Sequence, residues 1–160
     1  MRLATEEDWP SIWSFFEAIV REGETYTYPA DLMSEAGRSL WMEPSPGKTV
    51  VLEDRGTIVG SAKMGPNRPG PGDHIGTASF MVAPEARGRG VGRLPGEYAI
   101  DWLRGEGYRG IQFNAVVEAN TAAVKLWESL GFQIVGTVPG AFRSPTRGLV
   151  SLHIMYLPLR

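Results

Sequence analysis

The chain has 160 residues, of which 42% are apolar and 21% charged, with a formal net charge of −2 and no cysteine. That length fits one domain over residues 1–160, burying about two-thirds of its unfolded surface in one core, and the missing cysteine excludes disulfides, a thiolate metal site and a cysteine nucleophile. The acidic balance argues against general nucleic-acid binding, no apolar run reaches membrane-spanning length, and the two isolated histidines, His74 and His153, suggest no metal centre, so no nucleic-acid, membrane or metal partner is expected.

The N-terminal stretch carries Glu6, Glu7 and Asp8 where a secretory signal is basic and then apolar, so a cytoplasmic protein is expected. Residues 2–4 read as a short strand. Residues 5–8 have capping-box character, and Ile12, Phe15, Phe16 and Ile19 mark one apolar helix face that residues 23–29 interrupt. A second helix is predicted over 31–41, capped by Asp31. After a turn at 44–47, strands over 48–53 and 57–64 are joined by Asp54-Arg55-Gly56, a hairpin signal. Residues 66–73 hold three prolines and two glycines and read as an irregular loop. A strand over 75–82, a helix over 91–104, a strand over 110–117, a helix over 120–130, a strand over 132–138, a loop and a strand over 149–157 complete the chain. Pro95, early in the third helix, predicts a small kink. This order predicts an α/β fold: a mixed central sheet of about seven strands, flanked on both faces by about four helices. The apolar final strand is compatible with a homodimer.

The most informative stretch is residues 82–93, Val-Ala-Pro-Glu-Ala-Arg-Gly-Arg-Gly-Val-Gly-Arg, between a strand and a helix. Gly88, Gly90 and Gly92 remove the Cβ atoms that hold a ligand off the main chain. Successive free N–H groups in such a turn make an anion-binding concavity, and the helix N-terminus behind it adds about half a positive charge. Arg87, Arg89 and Arg93 add full charges, so the loop suits a phosphate or pyrophosphate. Gly92 is followed by Arg93-Leu94, not Lys-Ser/Thr, which excludes a P-loop, and the glycine spacing does not match a dinucleotide fingerprint.

What remains, Arg87-x-x-Gly90-x-Gly92, resembles the pyrophosphate loop of the GCN5-related N-acetyltransferases. Downstream, a strand over 111–117, Asn120 at a helix start, and a helix ending in Leu130-Gly131-Phe132 resemble that family's second signature. The likeness covers residues 48–138 well and both ends weakly. It implies the acetyltransferase fold, acetyl-CoA as cosubstrate and acyl transfer to an amine. Onto this chain it carries cofactor contacts at Met81, Val82, Arg87, Gly88, Arg89, Gly90, Val91, Gly92, Arg93, Asn120 and Trp127. The main chain at 80–82 is expected to pair with the extended pantetheine arm, and an N–H near Met81 or Val82 to stabilise the thioester oxygen. Many members carry a tyrosine where this chain has Trp127. Indole is no useful acid, and a thiol of pKa about 8.5 is a tolerable thiolate leaving group without one.

The attacking amine must lose a proton. Glu53, Asp73, His74 and Glu118 are candidate bases, and His74, just before the central strand, has the best-suited pKa. The strand is expected to alternate Ile111, Phe113, Ala115 and Val117 on one side with Gln112, Asn114 and Val116 on the other, and Asn114 must find partners, either at the cleft where two parallel strands splay apart or in a strand bulge. Gln112-Phe113-Asn114 followed by Asn120, with Pro66-Asn67-x-Pro69 and Phe80-Met81-Val82 upstream, is similar to fungal acetyltransferases that detoxify azetidine-2-carboxylate. That likeness implies substrate-handling and acyl-transfer roles for Asn114 and Asn120, while a third asparagine of that subgroup falls near Thr77. The catalytic candidates are therefore Asn114, Asn120 and His74. The acceptor is expected to be a small-molecule amine, an amino acid or toxic analogue among the possibilities. Its pocket is expected among the first two helices, residues 26–28, the 66–73 loop and a 142–147 loop, with Arg68, Arg143 or Arg147 for a carboxylate. A protein or peptide acceptor, or a non-catalytic acyl-CoA sensor, are the alternatives.

Overall fold

The computed structural model describes all residues, 1–160. Its elements are β1 (Arg2–Leu3), α1 (Trp9–Glu22), α2 (Ser34–Trp41), β2 (Lys48–Asp54), β3 (Thr57–Pro66), β4 (Ile75–Val82), α3 (Arg93–Gly105), β5 (Gly110–Val117), α4 (Thr121–Ser129), β6 (Gln133–Ser144) and β7 (Gly148–Pro158). The seven strands form one mixed sheet in the order β1-β2-β3-β4-β5-β7-β6, and only β4 and β5 run parallel. A parallel pair needs a crossover, which α3 supplies. On one face Ile12, Phe16 and Trp41 of α1 and α2 pack against Val51 and Met81. On the other, Leu103 and Trp127 of α3 and α4 pack against Ile111, Phe113 and Met155. No helix is long and apolar enough to cross a membrane.

The entry into α1 follows the capping pattern of residues 5–8. The Asp8 carboxylate accepts the Thr5 N–H at 2.7 Å and a two-pronged contact from the Arg2 guanidinium at 2.8 and 2.9 Å. The Arg2 hydrogen bonds, with those of Thr5, hold the Asp8 carboxyl well below the usual carboxylate range. Gly23 closes α1 in the left-handed conformation at φ 71°.

Four expectations need correction. The second helix starts at Ser34, not Asp31, because a turn closed by Leu32 N–H to Pro29 C=O (3.0 Å) takes up Ala30 and Asp31 first. Pro95 lies in the first turn of α3, which begins at Arg93. An N–H there has no intrahelical acceptor, so the proline removes no helical bond and the cause foreseen for a kink is absent. The sixth strand continues to Ser144 through irregularities between Ile134/Gly136 and Val138/Phe142, so the expected loop after 138 is a strand on the sheet edge. Pro139, which cannot donate to a ladder, falls in that irregular edge stretch, where proline is tolerated. The hairpin turn shrinks to residues 145–147.

The fourth correction bears on function. β5 carries a bulge: Phe113 faces Met155 and Val116 faces His153, so three steps on β5 match two on β7. Simple alternation would place Val116 with Gln112 and Asn114. The extra residue instead turns Val116 into the core beside Ile111 and Phe113, and leaves Asn114 and Ala115 exposed.

Candidate active site

The parallel pair holds together only at its start. β4 and β5 are in register at Ile75↔Gly110 and Gly76↔Ile111 and then diverge. β4 stays paired with β3 as far as Gly60↔Val82, while β5 follows β7 through its bulge. The wedge between them is a cavity of ≈ 340 Å³ walled by Thr77, Ser79, Phe80, Asn114, Val116 and Trp127, among others. A second cavity of ≈ 520 Å³ adjoins it, bounded by the end of α1 (Ile19, Glu22), Glu24, Met81, Arg87 and the 146–147 turn. Thr25, Tyr26, Phe80, Val82 and Asn120 line both, so the two spaces share one wall.

Within that wall the Tyr26 hydroxyl donates to the Phe80 carbonyl. Burial, with Tyr28 alongside, pushes the Tyr26 phenol far up, so it stays neutral and keeps the O–H that it donates. Tyr28 stacks on it at 5.5 Å and is likewise raised by burial.

The glycine loop lies at the open end of the wedge, after β4. Ala86 and Arg87 donate their N–H groups to Ala83 and Pro84, but the N–H groups of residues 88–92 donate to no backbone carbonyl. Gly88 and Gly90 have φ of 75° and 74°, and a Cβ on either would meet no atom within 4 Å. Glycine is therefore required there for conformation, not for packing. Left-handed residues alternating with ordinary ones turn successive N–H groups toward one point. Val91 anchors the loop against Leu52, Val59 and Ala86. Gly92 is the N-cap residue of α3, so the positive end of that helix also faces the site. The three arginines all have surface partners: Arg87 with Glu22 at 3.4 Å, Arg89 with Asp54 at 3.3 Å, and Arg93 with Glu97 at 2.6 Å.

The candidate side chains divide cleanly. Asn120 is an N-cap, its Oδ1 accepting the Ala123 N–H at 3.2 Å, and it also lines both cavities. Capping uses the oxygen and leaves Nδ2 as a donor. Asn114 occupies the bulge and belongs to an amide cluster: its Nδ2 donates to Asn67 Oδ1 at 2.7 Å, and its Oδ1 accepts from Gln112 Nε2 at 2.9 Å. Both environments foreseen for Asn114, cleft and bulge, are realised together. Trp127 is buried against Phe80 and Phe113, with ring centroids 4.8 and 5.0 Å apart, and forms part of the cavity floor. Gly96 makes room for it: a Cβ there would sit 3.0 Å from Trp127 Cζ3 and 2.9 Å from Leu130 Cδ1.

His74 is not brought to the site. It is exposed before β4, its carbonyl accepting the Arg109 N–H at 2.9 Å, and it lines neither cavity. Six residues of extended chain, about 20 Å, separate it from Phe80, because the wedge opens at the other end of the strand. Glu53 is tied to Arg2 at 2.8 Å, and Asp73 and Glu118 are exposed and line neither cavity. Two acidic residues that sequence reasoning did not single out, Glu22 and Glu24, stand at the larger cavity instead. Of Arg68, Arg143 and Arg147, only Arg147 lines either of these two cavities.

The family model for the Acetyltransferase (GNAT) family matches residues 9–132. The chain belongs to this family. A solved GCN5-related N-acetyltransferase from Kribbella flavida is 58% identical, with a TM-score of 0.95 over 99% of this chain and 96% of that one. The N-acetyltransferase aca1 of Schizosaccharomyces pombe is 30% identical over 95 residues, 59% of this chain and 46% of that protein. The chain spans less than half the length of the curated relatives it matches. The structure of yncA from Salmonella typhimurium with its cofactor acetyl-CoA shares the fold at 23% identity, with a TM-score of 0.84 over 99% of this chain and 92% of that one.

Proposed function

We propose that this acetyltransferase uses acetyl-CoA to acylate a primary or secondary amine of a small molecule by direct attack on the thioester. The observation that carries the reading is the divergence of β4 and β5 with a ring of partnerless N–H groups at its open end. The residues present fit the cosubstrate. Five amides without backbone acceptors and a helix N-terminus suit a diphosphate, and the wedge is an extended, mostly apolar slot.

When bound, acetyl-CoA supplies the acetyl group as a thioester. The N–H groups of residues 88–93 hold the diphosphate, and Arg87, Arg89 and Arg93 stand around it. The main chain at Met81 and Val82 aligns the pantetheine arm, and an N–H from this segment faces the thioester oxygen as charge develops on it. Asn120 offers Nδ2 from the wall shared by the two cavities. Asn114, fixed by Asn67 and Gln112, orients the acceptor from the opposite strand. Trp127 excludes water from the floor, and the thiolate leaves without a protein acid. The wedge-shaped cavity holds no carboxylate and no imidazole, so the amine proton is released to water.

The test is thiol release from acetyl-CoA in the presence of a panel of amino acids, polyamines, drugs and peptides. Amine-dependent release supports the reading; coenzyme A binding without turnover across the panel refutes it in favour of a sensor. The open β6 edge, with Ile134, Val135 and Val138 exposed, supports a homodimer. Sedimentation as a monomer at micromolar concentration rules that out.

A further inference from the structure

We infer that Arg147 recognises a carboxylate on the acceptor, so that the natural substrate is an amino acid and not a plain amine, and that Glu24 positions Arg147 by clamping the β6–β7 turn. The inference rests on the acetyl-transfer reading of the same site.

Two arginines wall the larger cavity. Arg87 is paired with Glu22, whereas no carboxylate lies within ion-pair distance of the Arg147 guanidinium. Glu24 feels the charge of Arg147, but both its oxygens are taken up by hydroxyls, so the guanidinium is left without an ion-pair partner and is a place for an anionic group of the ligand. The wedge beyond it offers Thr77, Ser79 and Asn114, which are polar and uncharged. An acceptor that spans the shared wall meets Arg147, the one cation of that cavity without an ion pair, at its outer end and neutral groups at the thioester. An α-amino acid fits that asymmetry: its carboxylate faces the cation and its amine faces the neutral wedge.

The main chain of Arg147 is held by a network built from two distant parts of the chain, and its exposed side chain extends from that fixed turn. Both oxygens of the Glu24 carboxylate accept hydroxyl hydrogen bonds, from Thr146 at 2.6 Å and Ser144 at 2.7 Å. Buried Ser144 in turn accepts the main-chain N–H groups of Arg147 at 3.0 Å and Thr146 at 3.3 Å. Pro145 of the same turn lies against the end of α1, where a Cβ on Gly23 would sit 3.4 Å from Pro145 Cγ. The hydroxyls of Thr146 and then Ser144 draw the Glu24 carboxyl below its ordinary value, which keeps it ionised at neutral pH. With both oxygens engaged, Glu24 serves as a strut and not as a base.

The experiment compares α-amino acids with their α-carboxamides at saturating acetyl-CoA. The two series share the carbon skeleton and differ in the negative charge, and they are compared at equal concentrations of neutral amine, because the carboxylate makes the neighbouring amine more basic. The wild type is expected to favour acids over amides in kcat/KM. Arg147→Gln is expected to lower kcat/KM for acids by roughly 10- to 150-fold, the range of one charge-assisted hydrogen bond, and to do so through KM. It should leave the amides, and the Kd for coenzyme A, within about twofold, because neutral probes and the cofactor do not use that bond. Glu24→Gln should shift KM for acids in the same direction without changing kcat, and Arg147→Lys should recover part of the preference. Wild-type turnover of amides as good as that of acids overturns the inference and leaves acetyl transfer standing. So does an Arg147→Gln variant that loses both series alike or loses coenzyme A. Turnover of neither series refutes acetyl transfer, and the inference falls with it.

Discussion

Gly90→Ala isolates the backbone conformation of the glycine loop from every other use of glycine. Gly90 sits at φ 74°, and a methyl group there meets no atom within 4 Å. Alanine therefore adds no clash, and its cost is that of a left-handed L-residue, about 1–2 kcal/mol. No backbone acceptor takes the N–H groups of residues 88–92, so little resists the loop rotating to relieve the strain. Rotation scatters the N–H groups, and the same 1–2 kcal/mol appears as a roughly 5- to 30-fold weaker Kd for coenzyme A. Gly90→Asn should lose less, because asparagine tolerates this region. The control is Gly56→Ala, with φ 80° and open surroundings, at the hairpin tip beyond Asp54↔Thr57. There the ladder resists relaxation, so the strain lowers Tm by a few degrees and leaves binding untouched. Calorimetric titration with coenzyme A and thermal melts of the three variants decide the matter. A Gly90→Ala protein that binds coenzyme A within about twofold of wild type would refute the assignment of these amides to the diphosphate, since the expected loss exceeds that.

Asn120→Ser keeps an oxygen to cap α4 and discards the Nδ2 donor. Its Tm should match wild type while kcat/KM falls about tenfold, one hydrogen bond's worth, whereas Asn120→Ala should also lose about 1 kcal/mol of stability with the cap; unchanged kinetics in the serine variant would reduce Asn120 to a cap. His74→Ala should leave the pH–rate profile unaltered, and the loss of an ascending limb near neutral pH would reinstate it as the base. Asp8→Asn should lower Tm at pH 7. Because the Asp8 carboxyl is held below its unfolded value, its contribution is complete above about pH 4 and disappears as pH falls through the folded value. The gap in Tm between the two proteins should therefore narrow on acidification, and a widening gap contradicts the role given to Arg2.

What was legible in the chain was local chemistry. Alternating glycines at a strand–helix junction mark a left-handed turn, which Gly88 and Gly90 adopt, and residues 5–8 mark a helix start by their capping pattern. Non-local register was not legible. Nothing within residues 112–117 says that one of them is extra; the bulge is fixed by pairing with β7, some forty residues later, and it exchanges the faces of Ala115 and Val116. The Glu24 clamp joins residues 120 apart in sequence, and glutamate, serine and threonine are each unremarkable where they stand. His74 has the chemistry of a base, while strand direction places it at the closed end of the wedge. Asp31 has the chemistry of a cap, but Pro29 draws it into a turn before the helix can begin.

Topology explains why the glycine loop and the wedge adjoin. A parallel pair within an otherwise antiparallel sheet requires a crossover, and α3 starts where β4 ends. Pairing survives only at the beginnings of β4 and β5, so the end where they part is also the end where α3 presents its N-terminus. The bulge in β5 and the unbroken pairing of β4 with β3 widen the gap without moving that terminus. The arginines are a poorer explanation for anion binding than their number suggests. Each is matched by a carboxylate, and such exposed pairs are worth about 0–1 kcal/mol and yield readily to a competitor. The amides have no such partner. A main-chain N–H cannot be neutralised by a neighbouring side chain's charge, and its direction is set by φ and ψ, so what the loop offers a diphosphate is determined by Gly88 and Gly90 more than by the cations between them.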